Sequence, residues 1–246
     1  MIEKYRDISI MKFGDKLLSV ACDSCGGVGL LKGDTVHTDG YNVGYHTTFV
    51  CLAETLAIGA QPILIADTLS VSLNSYGKSI LNGIKAAAEE AGLNPKTSVT
   101  GSSEENFKVQ STGIGITVLG SLPNIDYRPN PLDNIYDTVV IGVPLVGDEV
   151  LEKKHLILTL KAIKTLKKEE YVLDLLPVGS RGILYETNQM AGSLGMRFNE
   201  TVDDSDMIRK SAGPATCAVA AVSKGSFEKL KTAVTIPVQK IGTFTK

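Results

Sequence analysis

The chain has 246 residues, enough for one large domain or for two modest lobes with a cleft between them. Its 25 basic and 27 acidic residues give a formal charge of -2, and with no Trp and no basic-aromatic interleaving this argues against a nucleic-acid partner. No apolar stretch approaches bilayer-spanning length, and the charged N-terminus MIEKYRDISIMKFGDK has no signal-peptide core, so we expect a cytoplasmic protein without a membrane partner.

Residues 16–22 are a short apolar run that reads as a strand. The segment that follows, Ala21-Cys-Asp-Ser-Cys-Gly-Gly-Val-Gly29, places Asp23 beside Gly26, Gly27 and Gly29. Such glycines let backbone N–H groups approach anionic oxygens while the acid holds a cation; the plainer alternative is a glycine turn. The segment matches neither the P-loop nor the dinucleotide fingerprint. Cys22 and Cys25 form a C-x-x-C, but Cys51 and Cys217 stand alone in apolar sequence, so we read unmodified thiols rather than a zinc or redox site.

Phe49, Leu52, Ala53, Leu56 and Ala57 give residues 43–58 helical spacing, with Glu54 on this helix and Gly59 and Pro62 stopping it. Ile63–Ala66 reads as a buried strand ending at Asp67, and Ile80, Ile84, Ala87, Ala88 and Ala91 form a second helical face closed by Gly92. Next comes Thr100-Gly-Ser-Ser-Glu-Glu-Asn-Phe107, after a strand, which offers hydroxyls at Ser102 and Ser103 and carboxylates at Glu104 and Glu105. It suits a ligand loop, or equally a capped helix start. With a strand at Ile114–Leu119, residues 1–122 read as an α/β or α+β domain.

Residues 121–134, rich in Pro, Asn and Asp, read as a linker to a second lobe, residues 135–246. Strands are expected at 137–143, 217–222 and 238–241; helical stripes run through Leu156, Leu160 and Ile163, through 183–194, and over 227–230. The lysine-rich stretch 161–170 reads as a solvated helix face. Leu176-Pro-Val-Gly-Ser-Arg-Gly-Ile183 leads into a helix and offers backbone amides and Arg181 to an anion, and Lys210-Ser-Ala-Gly-Pro-Ala-Thr-Cys217 offers a cation with two hydroxyls. Either is also a plausible structural loop. His37, His46 and His155 lack ligand spacing, and no nucleophile elbow is present.

Repetition carries the functional reading. Asp23, Asp67 and the Glu104-Glu105 pair each follow an extended segment, with Glu54 on an intervening helix, a pattern suited to a divalent cation shared with phosphates. Any one of these acids alone is as readily an N-cap or turn former.

At these residues the chain resembles the ATP-binding superfamily of aminoimidazole ribonucleotide synthetase, thiamine-monophosphate kinase, selenophosphate synthetase and the hydrogenase-maturation dehydratase. The resemblance covers most of residues 17–122: the acid with glycines, VGYHTTFVCLAETLAIGAQPILIAD, a helix with Gly83, Ile84 and Ala87, and TGSSEENF before STGIGITVLG. Together ACDSCGGVG, TGSSEENF, LPVGSRGI and KSAGPATC are most similar to the small alpha-ribazole kinases of cobalamin salvage.

The resemblance implies an α+β (two-lobed α/β) fold of the aminoimidazole ribonucleotide synthetase type, with an N-terminal mixed sheet and a shortened C-terminal lobe. It implies a homodimer formed through the N-terminal domains, with ATP and Mg²⁺ as cofactors and a small nucleoside as substrate. Metal ligands fall on Asp23, Glu54, Asp67, Glu104 and Glu105; phosphate contacts fall on Gly26, Gly27, Gly29, Thr100, Gly101, Ser102 and Ser103. Asp23, Glu105, Arg181 and Lys210 are the expected catalytic groups. The implied reaction is phosphorylation of the ribose 5′-hydroxyl of alpha-ribazole. Alternatives are another small-metabolite kinase or synthetase, such as a thiamine-monophosphate kinase, or a non-catalytic nucleotide-binding paralogue. The chain departs from larger members by lacking a Thr-Lys after the first glycines and by replacing a Gly-Gly-acid-Thr pattern with TGSSEENF.

Overall fold

The computed structural model describes residues 2–122, 127–202 and 205–246. The chain divides into two units, residues 1–56 with 60–125, and 57–59 with 126–246. Residues 123–126 of the expected linker lie outside the described residues.

The first unit is a six-stranded mixed sheet backed by two long helices. Its strands are β1 (Ile2–Tyr5), β2 (Ile8–Phe13), β3 (Lys16–Gly26), β6 (Gln61–Leu69), β7 (Val99–Ser103) and β8 (Gly113–Leu122), in the order β1-β2-β3-β8-β6-β7. A separate parallel pair, β4 (Val28–Gly29) and β5 (Val36–His37), lies in the glycine loop. Only β6 and β7 pair in parallel within the large sheet; β8 runs antiparallel to both β3 and β6. Consequently β3, β6 and β7 all run the same way and end at one edge.

The alternation of β8 is strict, with Ile114, Ile116, Val118, Gly120 and Leu122 buried and the residues between them half-exposed. The buried face packs on α1 (Gly40–Ala57) and α2 (Ser75–Ala91). Asn74 starts α2 by accepting from the amides of Tyr76 and Gly77, and Gly92, at φ 90°, ends it in the left-handed region. The two helices touch backbone to backbone: a Cβ on Gly44 would sit 2.0 Å from the Ile80 carbonyl oxygen, and one on Gly83 2.0 Å from that of Tyr41. Asn94 caps the short α3 (Pro95–Ser98), which leads into β7.

The second unit is an antiparallel sheet of β9 (Ile135–Gly142), β10 (Val172–Pro177), β11 (Arg197–Glu200), β12 (Cys217–Ser223) and β13 (Val238–Thr245), ordered β10-β12-β9-β13-β11. β9 and β12 are buried almost throughout, which is why both read as continuous apolar runs. α6 (Gly182–Leu194) lays Ile183, Met190 and Leu194 into a core with Tyr136, Val219 and Phe244. The remaining helices are α4 (Asp148–Glu152), α5 (Leu160–Leu166), α7 (Ser205–Arg209) and α8 (Phe227–Ala233). Among the described residues no helix is long and apolar enough to cross a membrane.

The structure extends the expected elements at specific points. β3 continues past residue 22 because its pairing with β8 persists to Gly26 opposite Gly113, so Asp23 sits within the strand rather than beyond it. The stripe through Leu156, Leu160 and Ile163 is broken: Thr159 accepts from the Ala162 amide at 3.1 Å and starts α5 afresh. The charged N-terminus forms the β1-β2 hairpin, whose Tyr5, Ile8 and Ile10 are its buried positions.

Candidate functional site

Three strands running in one direction bring the expected carboxylates to one rung of the first sheet. Asp23 in β3 pairs with Ile116 in β8, Ile116 pairs with Asp67 in β6, and Asp67 pairs with Gly101 in β7. Residues on one rung project to the same face, and with one strand between them Asp23 and Asp67 are roughly 10 Å apart along the rung. Between them Ile116 is buried beneath α1, so the two carboxylates flank a packed position on the same face.

Asp67 is 5% exposed, and among the described residues it accepts no hydrogen bond. Desolvation pushes its pKa up to about 6, against the opposing pull of Lys85. Asp23 is half-buried and is raised by the same cause, offset by the Ser24 amide. The adjoining Gly101 is obligatory on steric grounds, since a Cβ there would lie 2.3 Å from the Asp67 carboxylate.

Asp67 floors a cleft of about 500 Å³ beside β7, whose walls include Lys85 and Glu89 of α2, Lys96 of α3, and Thr100, Gly101, Ser102 and Ser103. The two glutamates that follow are turned to local work. Glu105 accepts from the Ser103 hydroxyl at 2.6 Å and the Leu73 amide at 2.8 Å, and these bonds hold its carboxyl below the usual range. Glu104 accepts from the amides of Asn106 and Phe107, closing the turn after β7. Glu54 is partly buried in α1 and close enough to Cys51 to help burial raise that thiol. Among the described residues no three His, Cys, Asp or Glu side chains come together as a metal cluster. Of the five expected ligands, Asp23 and Asp67 share a rung, Glu54 and Asp23 both act on the Cys51 thiol, and Glu104 and Glu105 bond within the turn after β7.

The glycine segment is pinned. The Gly27 amide donates to the Thr112 carbonyl at 3.0 Å, and a Cβ on Gly29 would fall 2.0 Å from the Tyr76 hydroxyl and 2.8 Å from Asp34 Oδ2. Gly29 is thus a packing glycine. Gly26 remains in β3, opposite Gly113. Asp34, unremarked in the sequence, is 5% exposed and fastens this loop by accepting from the amides of Leu31 and Thr112 and the hydroxyls of Ser111 and Thr112. The four bonds outweigh desolvation and hold its pKa below the normal range. Its only sequence signal was a KGDT turn.

In the second unit the two expected anion loops are adjacent. The Ala212 amide donates to the Gly179 carbonyl at 3.2 Å, and a Cβ on Gly182 would meet the Arg209 carbonyl at 2.8 Å. Both cations already have partners: Arg181 stacks on Tyr185 at 4.6 Å and donates to its hydroxyl, and Lys210 lies 2.6 Å from Glu149. Glu149 was not visible as a partner from the sequence, 61 residues away. All four cysteines are free, and Cys51 and Cys217 are fully buried with thiols pushed up by burial.

Residues 6–122 match the family model of the AIR synthase related protein, N-terminal domain. The fold is AIR synthase-like. Among solved structures, AaThiL complexed with AMPPCP and TMP matches this chain with a TM-score of 0.65 at 16% identity, covering 98% of this chain and 84% of that one. E. coli HypE, a hydrogenase maturation protein, gives 0.66 at 16% identity over 93% and 80%. Thiamine monophosphate kinase from Aquifex aeolicus gives 0.63 at 15% identity over 93% and 85%. No curated protein matches the sequence.

Within the AIR synthase-like fold, the Asp23 and Asp67 donor set fits a hard divalent cation. Such a cation takes one or two carboxylates and keeps its remaining positions for water and phosphate oxygens. A buried carboxylate that accepts no hydrogen bond is rare unless something else satisfies it.

Proposed function

We propose that this protein is an ATP-dependent kinase of a small nucleoside, with Mg²⁺ as its metal and alpha-ribazole as its acceptor. The observation that carries the reading is the rung shared by Asp23 and Asp67, with Asp67 buried and without a hydrogen-bond donor. Support for ATP comes from the likeness of the fold to a thiamine monophosphate kinase and to AaThiL complexed with AMPPCP and TMP. Support for the acceptor comes from the resemblance of ACDSCGGVG, TGSSEENF, LPVGSRGI and KSAGPATC to the alpha-ribazole kinases.

In this reading the 5′-hydroxyl oxygen of the acceptor forms a bond to the γ-phosphorus, the bond from phosphorus to the β,γ-bridging oxygen breaks, ADP leaves, and the hydroxyl proton is released. A bound Mg²⁺ supplies charge neutralisation of the triphosphate. Asp23 and Asp67 would hold it, with Glu54, Glu104 and Glu105 as the remaining candidate acids of the domain. Thr100 through Ser103 line the adjoining cleft, and Gly101 keeps the Asp67 carboxylate free to face it. Arg181 and Lys210 are the cations that the resemblance assigns to catalysis. The transition state is loose, so alignment and charge neutralisation carry most of the rate and no strong base is required.

Pairing of two copies through the N-terminal sheets belongs to the same reading. The face of the sheet opposite α1 and α2 carries Leu18, Val20, Leu64, Ala66 and Leu119, all half-exposed, with Val20, Leu119 and Leu64 on one rung. An apolar sheet face of this kind suits burial against a second copy.

The test is ADP release with Mg-ATP and alpha-ribazole, with thiamine monophosphate and other nucleosides as comparison acceptors. Release specific to alpha-ribazole is expected. Release with thiamine monophosphate alone would replace the acceptor, and Mg-dependent ATP binding without release for any acceptor would point to a non-catalytic subunit.

A further inference from the structure

The cations expected to meet an anion, Arg181 and Lys210, are engaged by Tyr185 and Glu149. Lys85 stands differently. It is half-buried in α2, on the wall of the cleft that Asp67 floors, and its charge reaches the Asp67 carboxylate. Yet among the described residues it forms no salt bridge, either with Asp67 or with Glu89 on its own helix. One cleft thus holds a carboxylate that is 95% buried and without a donor, and a cation held near it but not against it.

Opposite charges left apart at a partly dry site are poorly satisfied, and a ligand that addresses both completes them. Anionic oxygens meet Lys85, and a divalent cation carried with them meets Asp67. The edge strand from Thr100 to Ser103 and Lys96 line the same space, and a volume of about 500 Å³ is within the range of small-ligand sites. The position of Lys85 is fixed from behind, because Gly83 brings α2 into backbone contact with α1 two residues earlier.

We propose that Lys85 binds the polyphosphate of a nucleoside triphosphate, making the cleft between α2 and β7 the phosphate end of the nucleotide site. This rests on the nucleotide reading given under Proposed function. Lys85 acts as a fixed positive charge, and no proton or bond changes hands through it.

Calorimetric titration of the full chain with Mg-ATP and with Mg-tripolyphosphate, in wild type, Lys85→Met and Lys85→Arg, tests it. Lys85→Met is expected to weaken both ligands at least tenfold, and Lys85→Arg to stay within about threefold of wild type. Lys85→Met binding both within twofold of wild type overturns the role of Lys85 and leaves the nucleotide reading standing. A wild type that binds neither ligand overturns both. Should Lys85→Met fail to fold, acetic anhydride labelling of wild type read by mass spectrometry decides the matter. Protection of Lys85 by Mg-ATP supports the proposal, and equal labelling with and without Mg-ATP overturns it.

Discussion

Asp67 and Gly101 are partners on a parallel ladder, and the space occupied by the Asp67 carboxylate is the space a side chain at Gly101 would need. A methyl at 101 would lie 2.3 Å from Cγ and both oxygens of Asp67, so Gly101→Ala forces the acid or the edge strand to move. Overpacking of this sort costs about 1–3 kcal/mol. We expect a lowered melting temperature together with at least tenfold weaker Mg-ATP binding, measured by thermal denaturation and calorimetry. Unchanged binding would separate Asp67 from the nucleotide.

Asp23 is half-buried and forms no salt bridge among the described residues, so its charge is available to a ligand without being needed by the fold. Asp23→Asn should remove turnover in the ADP-release assay while leaving circular dichroism and melting temperature unchanged. Near-wild-type turnover would take Asp23 out of the site.

Asp67 shapes stability in the opposite sense from a salt-bridged acid. Its folded pKa of about 6 lies above the 3.8 of an ordinary aspartate, so between those values the folded chain keeps a proton that the unfolded chain has lost. Wild type therefore loses stability as pH rises through this window. Asp67→Asn carries no such charge and should be more stable than wild type at pH 8, by about 1–3 kcal/mol, with the gap closing towards pH 4. Urea denaturation in EDTA at the two pH values measures it. A gap independent of pH would contradict the assignment.

Asp34 behaves the other way. Four hydrogen bonds depress its pKa, so its contribution is present above the unfolded value and is lost as pH falls through the lower folded one. Asp34→Ala strands the Thr112 amide and loosens the glycine loop, and should cost about 2–4 kcal/mol in urea denaturation at pH 7. Loss of under 1 kcal/mol would mean that solvent replaces Asp34 with ease.

Lys210 is bound to Glu149 at a partly exposed site, where ion pairs contribute little to stability. Lys210→Ala should leave the melting temperature within a degree or two of wild type and lower kcat about a hundredfold, as expected for loss of a charge acting on a transition state. A kcat within threefold of wild type would confine Lys210 to its salt bridge.

Much of the fold was legible because its signals are local. The alternation of β8, the stripe of α2 with Gly92 at its end, and the apolar runs of β9 and β12 follow from periodicity alone. Edge elements were less legible: β1, β11 and the charged part of β2 expose most of their side chains and so lack a burial pattern. At the site, Asp23 and Asp67 were visible as acids following apolar runs, but their common rung depends on pairing through Ile116, 93 and 49 residues away. Asp34, Glu149 and Lys85 escaped notice for a related reason. Each acts on residues far along the chain, and nothing in the immediate sequence distinguishes it from a solvated charge.

The contact of Gly44 with Ile80 and of Gly83 with Tyr41 leaves α1 and α2 no clearance at their crossing. Because Lys85 is carried on α2 just beyond that crossing, any side chain at Gly44 or Gly83 would displace the helix and change the width of a cleft that neither glycine lines. The dimensions of the cleft are thus set from the far side of the helix. Variation tolerated among the cleft-lining residues would still be incompatible with a single added methyl at the crossing.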